Sequence, residues 1–292
     1  MNNPVEDAPV VWQPDRHLRG HCQMTAFLHA ANERYGLTMN DYAALWQWSV
    51  DDRAAFWSLL WDFGGVIASA PAEVVLDDPD AMPGARWFVG ARLNFTENLL
   101  RHRDARPAII FRDEDGAEQR LSYAALYART AQLAAALQAQ GIRAGDRVAA
   151  IVPNIPEAVI GMLASAWLGA IWSSCSPDFG VQGILDRFGQ IEPRLLIGAD
   201  GYRFKGKVID SRSKLAEVLS ALPSTTRGIL IPRQGCGELP GWVHWEALFV
   251  QGSEAPPFAQ LPFDHPLYIL FSSGTTGRPK CIVHGAGGTL LQ

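Results

Sequence analysis

The chain has 292 residues, 48% of them hydrophobic and 19% charged, with a formal net charge of −5. These values are typical of a globular protein of one or two domains with a sizeable core. The acidic balance excludes a broad basic face for nucleic acid, and no apolar run reaches membrane-spanning length, so neither is expected as a partner. The first ten residues lack a signal-peptide pattern and the four cysteines are widely spaced, which favours a reducing, cytoplasmic location.

Residues 1–100 are predicted to form a helical cap. Apolar residues recur at helical spacing over residues 23–63, which indicates three helices. Thr38 with Asp41, and Ser49 with Asp52, fit the [ST]-x-x-[DE] capping pattern, so the two hydroxyl residues are predicted to cap helices. Five tryptophans lie between residues 46 and 87. Packing within the cap is favoured over a ligand-stacking set, because indole rings carry a large apolar surface.

Residues 101–292 alternate between strand and helix patterns. This alternation predicts an α/β domain whose largely parallel sheet is covered by helices on both faces. A hairpin precedes it, with a turn at Asp115–Gly116, and Ser122 is predicted to cap the next helix. Residues 232–265 are expected to form a long irregular connection. Strands are expected at 148–152, 170–174, 195–197, 228–231 and 268–271, and helices at 122–140, 156–168, 181–190 and 213–222.

The segment YILFSSGTTGRPKCIVH, residues 268–284, carries the clearest chemical signal. Two strand-like runs flank a loop of small and hydroxyl residues, which lets the backbone approach an anion and supplies donors. The loop is not a Walker A motif, because Lys280 is separated from Gly277 and leads into a strand. An ordinary hairpin loop is the alternative, although such loops are usually shorter. The candidate phosphate ligands are Ser272, Ser273, Gly274, Thr275, Thr276, Gly277 and Lys280.

SSGTTGRPK resembles the phosphate loop of the adenylate-forming superfamily. CIVHGAGGTLLQ after the loop, and WQWSVDDRAAFWSLLWDF and MPGARWFVGARLNFTENLLRH upstream, are similar to segments of the acetoacetate–CoA ligases (acetoacetyl-CoA synthetases). The resemblance runs from about Trp12 to Gln292. It implies a helical cap of the acetyl-CoA-synthetase type over residues 1–100, followed by an incomplete AMP-binding domain over residues 101–292.

The resemblance also implies a reaction and its cofactors. The family joins ATP and a carboxylate to an acyl-adenylate, releases pyrophosphate, and transfers the acyl group to CoA, usually with Mg²⁺. The family's adenine-binding segment, hinge and C-terminal catalytic lysine have no counterpart among these residues. We therefore expect an N-terminal portion that is inactive alone, contains no catalytic residue, and has the missing C-terminal portion as its partner.

Further site residues follow from the same resemblance. The basic stretch after the strand at 195–197 corresponds to residues that contact CoA in acetyl-CoA synthetases, which implies Arg203, Lys205, Gly206 and Lys207 as ligands of the CoA phosphates. A solvated surface loop is the alternative, because charge runs usually face water. His284 resembles a family histidine that lines the acyl or nucleotide pocket, with a packed strand-end histidine as the alternative. No metal site is expected, although His17, His21 and Cys22 are near one another in sequence.

Three other functions remain open at this stage. One is an acetyl- or propionyl-CoA synthetase fragment, because the acyl pocket lies mainly outside these residues. Another is a non-catalytic fragment that binds a nucleotide or a protein partner. The third is a phosphotransferase that uses the same loop, which would release ADP instead of pyrophosphate.

Overall fold

The computed structural model describes residues 11–223, 226–250, 252, 254–272 and 277–292. The chain divides into two compact units, one formed by Met1–Val66 with Val75–Arg86 and the other by Ile67–Val74 with Trp87–Gln292. Within the described residues, no helix combines the length and apolar character needed to cross a membrane.

The described residues of the first unit include four helices: α1 (Arg16–His21), α2 (Gln23–Tyr35), α3 (Tyr42–Asp51) and α4 (Arg53–Phe63). The three helices predicted over residues 23–63 are confirmed, and α1 was missed because it is a short helix without a buried face.

The predicted capping residues of this unit were wrong. The aspartate of each pair caps the helix: the carboxylates of Asp41 and Asp52 accept hydrogen bonds from the third residue beyond them, at 2.8 and 3.0 Å. A carboxylate is favoured there because it also complements the positive end of the helix dipole. Ser49 instead lies inside α3, where its hydroxyl donates to the carbonyl of Trp46.

The core of the first unit is small and aromatic. The Phe56 ring meets Phe27 and Trp48 edge-on, with centroids 5.5 and 5.7 Å apart. Trp48 therefore packs as predicted, whereas Trp46 is exposed. The buried residues of this core are Phe27, Leu28, Ala31, Leu45 and Leu59.

From Ile67 onward the elements are, in chain order, β1 (Ala68–Ala70), β2 (Val74–Asp77), β3 (Arg86–Val89), β4 (Arg92–Leu93), α5 (Phe95–Leu99), β5 (Pro107–Arg112), β6 (Glu118–Ser122), α6 (Tyr123–Ala139), β7 (Arg147–Ile151), α7 (Pro156–Trp167), β8 (Ile171–Cys175), α8 (Val181–Ile191), β9 (Leu195–Ala199), β10 (Gly201–Phe204), β11 (Lys207–Asp210), α9 (Arg212–Ala221), β12 (Arg227–Ile231), β13 (Val243–His244), a 3-10 helix (Trp245–Leu248), β14 (Leu261–Pro262), β15 (Pro266–Ser272), β16 (Lys280–Gly285) and α10 (Ala286–Leu291).

The second unit is organised around a seven-stranded sheet with the order β13-β12-β9-β7-β8-β15-β16. Neighbouring strands are parallel except for β16, which runs antiparallel to β15. The predicted α/β fold with a largely parallel sheet is confirmed. The region 232–265 is less irregular than expected, since β13 extends the sheet and the 3-10 helix buries Trp245 completely. A two-residue strand is too short to leave a sequence pattern.

Alternate residues of the central strands point to opposite faces of the sheet, as the strand geometry requires. Val148 and Ala150 belong to the core that α6 and α7 cover, and Ala149 and Ile151 belong to the core that α8 and α9 cover. At Gly198 a Cβ atom would lie 2.6 Å from the side chain of Leu215. Glycine is therefore what allows α9 to pack closely on β9.

Asn94 links α5, α7 and the segment before β14 through one buried side chain. Its amide nitrogen donates to the carbonyls of Ala166, Trp167 and Ala259 at 3.0, 3.1 and 2.9 Å. Its carbonyl oxygen accepts from the backbone N–H groups of Thr96 and Glu97 at 2.9 and 3.1 Å, which caps α5. One buried side chain therefore joins three segments of the second unit and caps α5.

We expect Asn94→Ala to lower the free energy of unfolding by about 3–5 kcal/mol, because the N–H groups of Thr96 and Glu97 lose their acceptor and the hydrogen bonds that join three segments are removed. Asn94→Asp should be at least as harmful near pH 7, because a carboxylate would face carbonyl oxygens. Its deficit relative to the native chain should shrink as the pH falls and the carboxyl group regains a donor proton. Urea unfolding at two pH values measures the stability loss of both variants, and Asn40→Ala, at an exposed position, is the control. Native-like stability of Asn94→Ala would contradict the role assigned to Asn94.

Candidate functional site

Five loops of the second unit leave the carboxyl ends of parallel strands. They follow β7, β8, β9, β12 and β15, and so they begin at one edge of the sheet. In open α/β sheets, ligands bind at this edge. The basic stretch around Arg203 follows β9, and the loop before Lys280 follows β15. The topology therefore places both candidate phosphate-binding segments on the ligand-binding side.

The loop after β15 returns the chain directly to β16. Ser272, the last residue of β15, is paired with Lys280, the first residue of β16. Ser273, Gly274, Thr275 and Thr276 lie outside the described residues. Gly277 is exposed and has a φ of +135°, a conformation that favours glycine. The described ends of the loop thus place the exposed Lys280 opposite Ser272, one of the predicted phosphate ligands.

The basic stretch that the resemblance assigns to CoA forms a two-stranded hairpin. Arg203 on β10 is paired with Val208, and Phe204 with Lys207 on β11. Directly opposed residues share a face and successive residues alternate, so Arg203 and Lys207 lie on opposite faces of the hairpin. Lys205 and Gly206 form its turn with φ values of +51° and +75°, as a two-residue turn of type I′ requires.

Acidic residues of a second hairpin, β5–β6, contact this basic hairpin. The Glu114 carboxylate accepts hydrogen bonds from the backbone N–H groups of Lys205 and Gly206 at 3.3 and 3.0 Å. Asp115 forms an ion pair with Arg203, with Nε and Oδ2 2.7 Å apart. The sequence predicted only a turn at Asp115–Gly116. In the structure, carboxylates of this turn accept hydrogen bonds from groups of the basic hairpin that are predicted to bind CoA.

A cleft with a volume of about 170 Å³ lies between the two hairpins. The guanidinium of Arg233 stacks over the ring of Phe111 at 4.7 Å, beside Arg203 and Arg112. Arginines and an aromatic ring in one cleft suit an anionic ligand with a planar group. The other lining residues are Asp113, Glu114, Pro153, Asn154, Ile155, Tyr202 and Gln234.

Asp200, the residue after β9, holds one wall of this cleft. Its carboxylate is fully buried and accepts from the backbone N–H groups of Arg233, Gln234 and Cys236, each at 2.8 Å. Converging N–H groups of this kind form an anion-binding nest. Here the protein's own carboxylate fills the nest and fixes the start of the loop that presents Arg233.

The loop after β8 reaches the same edge and contacts β10. Burial raises the pKa of Tyr202, and a hydrogen bond with Asp178 raises it further. Asp178 also accepts from the hydroxyl of Ser176 at 2.9 Å. Cys175, at the end of β8, is buried, and burial raises its pKa to about 12. This thiol stays protonated at neutral pH and is therefore no candidate nucleophile.

His284 lies on β16 opposite Tyr268, and their ring centroids are 5.1 Å apart. The imidazole is half-buried, and its aromatic neighbour is compatible with both roles considered for it.

In the first unit, His17 and His21 stack at 4.3 Å. Within the described ranges of the chain, no three His, Cys, Asp or Glu side chains are grouped to hold a metal ion.

Sequence reasoning missed Asp200, Arg233, Glu114 and Asp115. A polar residue directly after a buried strand was the available signal for Asp200. No comparable signal marked the others, because their roles arise from contacts between segments about 90 residues or more apart, as in the hydrogen bonds that Lys205 and Gly206 donate to Glu114.

The family profile described as "AMP-binding enzyme" matches residues 95–292, and that described as "Acetyl-coenzyme A synthetase N-terminus" matches residues 42–99. The chain is 50% identical over 289 residues to the acetoacetyl-coenzyme A synthetase of Rhizobium meliloti (strain 1021), covering 97% of this chain and 44% of that relative. It is 40% identical over 301 residues to the acetoacetyl-CoA synthetase of Macaca fascicularis, covering 99% and 44%.

Among solved structures, acetoacetyl-CoA synthetase from Streptomyces lividans is similar with a TM-score of 0.91 and 44% identity, over 96% of this chain and 44% of that one. The chain thus spans less than half the length of these relatives.

We expect Asp200→Ala to lower the free energy of unfolding by about 3 kcal/mol or more, because three part-buried N–H groups lose their hydrogen bonds to the carboxylate. Asp200→Asn should cost less, since one oxygen can still accept. Denaturant unfolding measures the loss, and hydrogen exchange at residues 233–236 localises it. Asp80→Ala, which removes a side chain that is 97% exposed, is the control. Unchanged exchange at these amides in Asp200→Ala would overturn the assignment.

Proposed function

The chain belongs to the AMP-binding enzyme family, and we propose that it is a portion of an acetoacetate–CoA ligase that supplies the phosphate-binding part of the adenylating domain. The complete reaction would convert ATP, acetoacetate and CoA to AMP, pyrophosphate and acetoacetyl-CoA. The resemblance predicted from the sequence is confirmed by relatives that are 40–50% identical along almost the whole chain. Since the chain spans 44% of the Rhizobium relative, we propose that it does not complete the reaction alone.

The observation that carries this proposal is the position of the loop after β15. It joins adjacent antiparallel strands at the carboxyl edge of the sheet, and its described ends place Ser272 opposite Lys280. We propose that Ser272, Ser273, Gly274, Thr275, Thr276 and Gly277 donate to the β- and γ-phosphates while Lys280 balances their charge. During adenylation a carboxylate oxygen attacks the α-phosphorus and pyrophosphate departs. Donors fixed around the departing phosphates stabilise the negative charge that they gain.

Relatives in this family use ATP, Mg²⁺ and CoA. The residues that the structure describes offer no group of metal-ligating side chains for Mg²⁺. Bound to the phosphates of ATP, the ion would offset part of their negative charge.

The basic hairpin is proposed as the CoA site, with Arg203, Lys205, Gly206 and Lys207 as ligands of its phosphates. Arg203 supplies a rigid guanidinium, and the turn at Lys205–Gly206 supplies adjacent backbone N–H groups. In the second step the CoA thiol attacks the acyl carbonyl and AMP leaves. Cations at this cleft would hold the nucleotide end of CoA, remote from the reacting thiol.

Acetoacetate is proposed as the acyl substrate because the similar relatives are acetoacetyl-CoA synthetases. His284 is proposed to line the acyl or nucleotide pocket, because it is half-buried beside the ring of Tyr268. An acetyl- or propionyl-CoA synthetase portion is the second candidate. The N-terminal cap over residues 1–100 and a cytoplasmic location also remain proposals.

The partner proposed for this chain is the remaining portion of a synthetase. β16 forms the outer strand of the described sheet, and its Ile282 and Val283 are exposed, as is Leu270 on β15. A strand whose outer edge is unpaired and whose apolar side chains are exposed readily pairs with another chain. Covering this edge would remove an aggregation hazard.

The function is tested by joining these 292 residues to the remaining part of the Rhizobium relative. We expect the fusion to form acetoacetyl-CoA with release of AMP and pyrophosphate, and the chain alone to form none. Release of ADP would instead indicate a phosphotransferase, and a folded fusion that binds ATP without turnover would indicate a non-catalytic binding fragment. Turnover by the chain alone at about 1 per second or more would contradict its proposed incompleteness.

Mutations in the fusion separate the two proposed phosphate sites. Lys280→Ala should lower pyrophosphate exchange about 10²-fold, because a charge opposite the departing pyrophosphate is lost, while the KM for CoA stays nearly constant. Thr276→Val should cost less, since neighbouring backbone donors remain. Arg203→Ala, the matched control, should raise the KM for CoA and leave exchange intact. The reverse pattern, with Lys280→Ala affecting only the KM for CoA, would show that the two sites are misassigned.

A further inference from the structure

The acidic turn of the β5–β6 hairpin, residues 113–115, contacts the part of the basic hairpin that would bind a phosphate group. We propose that Glu114 and Asp115 are an intramolecular counter-ligand of the CoA site, which must leave its donors before a phosphate of CoA binds there. The inference rests on the proposed CoA site and adds to it two residues that set its affinity.

The geometry of the contact is that of a bound anion. The two oxygens of Glu114 accept from the successive N–H groups of Lys205 and Gly206 at 3.3 and 3.0 Å. Asp115 accepts a charged hydrogen bond from Arg203 at 2.7 Å. Phosphate oxygens select the same donors, namely paired backbone N–H groups and a guanidinium. A phosphate and these carboxylates therefore cannot use the donors at the same time.

The counter-ligand is placed so that it can be displaced. Glu114 is exposed, and the Asp115 side chain is 54% exposed against 32% for Arg203. Ion pairs in contact with water are weak, because solvent screens them and competes for the same groups. Gly116, next in the turn, has a φ of +81°. Exchanging an exposed carboxylate for a multivalent phosphate costs little, whereas a buried carboxylate such as Asp200 is fixed in its nest.

The charges around the cleft lead to the same conclusion. Arg112, Arg203 and Arg233 line it, and the carboxylates of Asp113 and Glu114 lie among them. These carboxylates lower the positive potential that an approaching polyanion meets. Removing the two negative charges that hold the basic hairpin would both free its donors and raise that potential. Both effects tighten binding, and neither requires a change in fold.

The experiment compares CoA affinity in isosteric variants, measured by calorimetry in the chain itself and in the fusion. We expect Glu114→Gln with Asp115→Asn to tighten CoA binding about three- to tenfold, as the loss of weak competing ion pairs allows. Each single variant should give part of the gain. Asp104→Asn, which removes an exposed carboxylate paired with Arg106 just before β5, is the matched control and should leave the affinity unchanged.

Arg203→Ala separates failure of this inference from failure of the CoA site. If Arg203→Ala weakens binding while the acidic variants leave it unchanged or weaken it, the counter-ligand is wrong and the CoA site stands. If neither Arg203→Ala nor the acidic variants alter binding, CoA does not use this hairpin and both proposals fail. A gain equal to that of Asp104→Asn would reduce the effect to general net charge and would also overturn the counter-ligand.

Discussion

Two parallel strands cannot be joined by a tight turn, because each connection must cross a face of the sheet before the next strand begins. In this chain α7, α8 and α9 provide those crossings. The constraint has two consequences. Both faces of the central strands become buried, and every parallel strand delivers its carboxyl end to the same edge. The candidate site is a product of that geometry, since its loops come from distant parts of the sequence.

The same constraint explains which parts of the fold the sequence predicted. Buried parallel strands have continuous apolar runs, and amphipathic helices follow them, so the alternation from residue 122 onward was recognisable. Short elements such as α1 and β13 escaped because they contain too few residues to show a period. The caps at Asp41 and Asp52 were misplaced because the capping pattern contains two polar residues and each can cap.

For the site residues, prediction depended on whether the role of a residue is encoded in its local sequence or in contacts with remote segments. The loop around Lys280 and the basic stretch around Arg203 have local compositions that indicate anion binding, and their assignment remains a prediction. Asp200, Glu114 and Arg233 act through contacts between segments that are remote in sequence. No periodicity or motif encodes such a contact, because the pairing of two hairpins depends on the three-dimensional path of the chain. Sequence reasoning therefore identified candidate donors without the carboxylates that occupy them.

Two carboxylates in this site accept from backbone N–H groups in the same manner, and burial separates their roles. The side chain of Asp200 is fully buried, so releasing it would leave a carboxylate in the interior without the three N–H groups that donate to it. Glu114 is exposed, so water or another anion can take its place on Lys205 and Gly206 at small cost. The carboxylate of Asp200 fixes the wall of the cleft that carries Arg233. The carboxylate of Glu114 binds N–H donors that a ligand can bind in its place. A carboxylate that accepts hydrogen bonds from backbone N–H groups is thus a fixed structural contact where it is buried and an exchangeable contact where it is exposed.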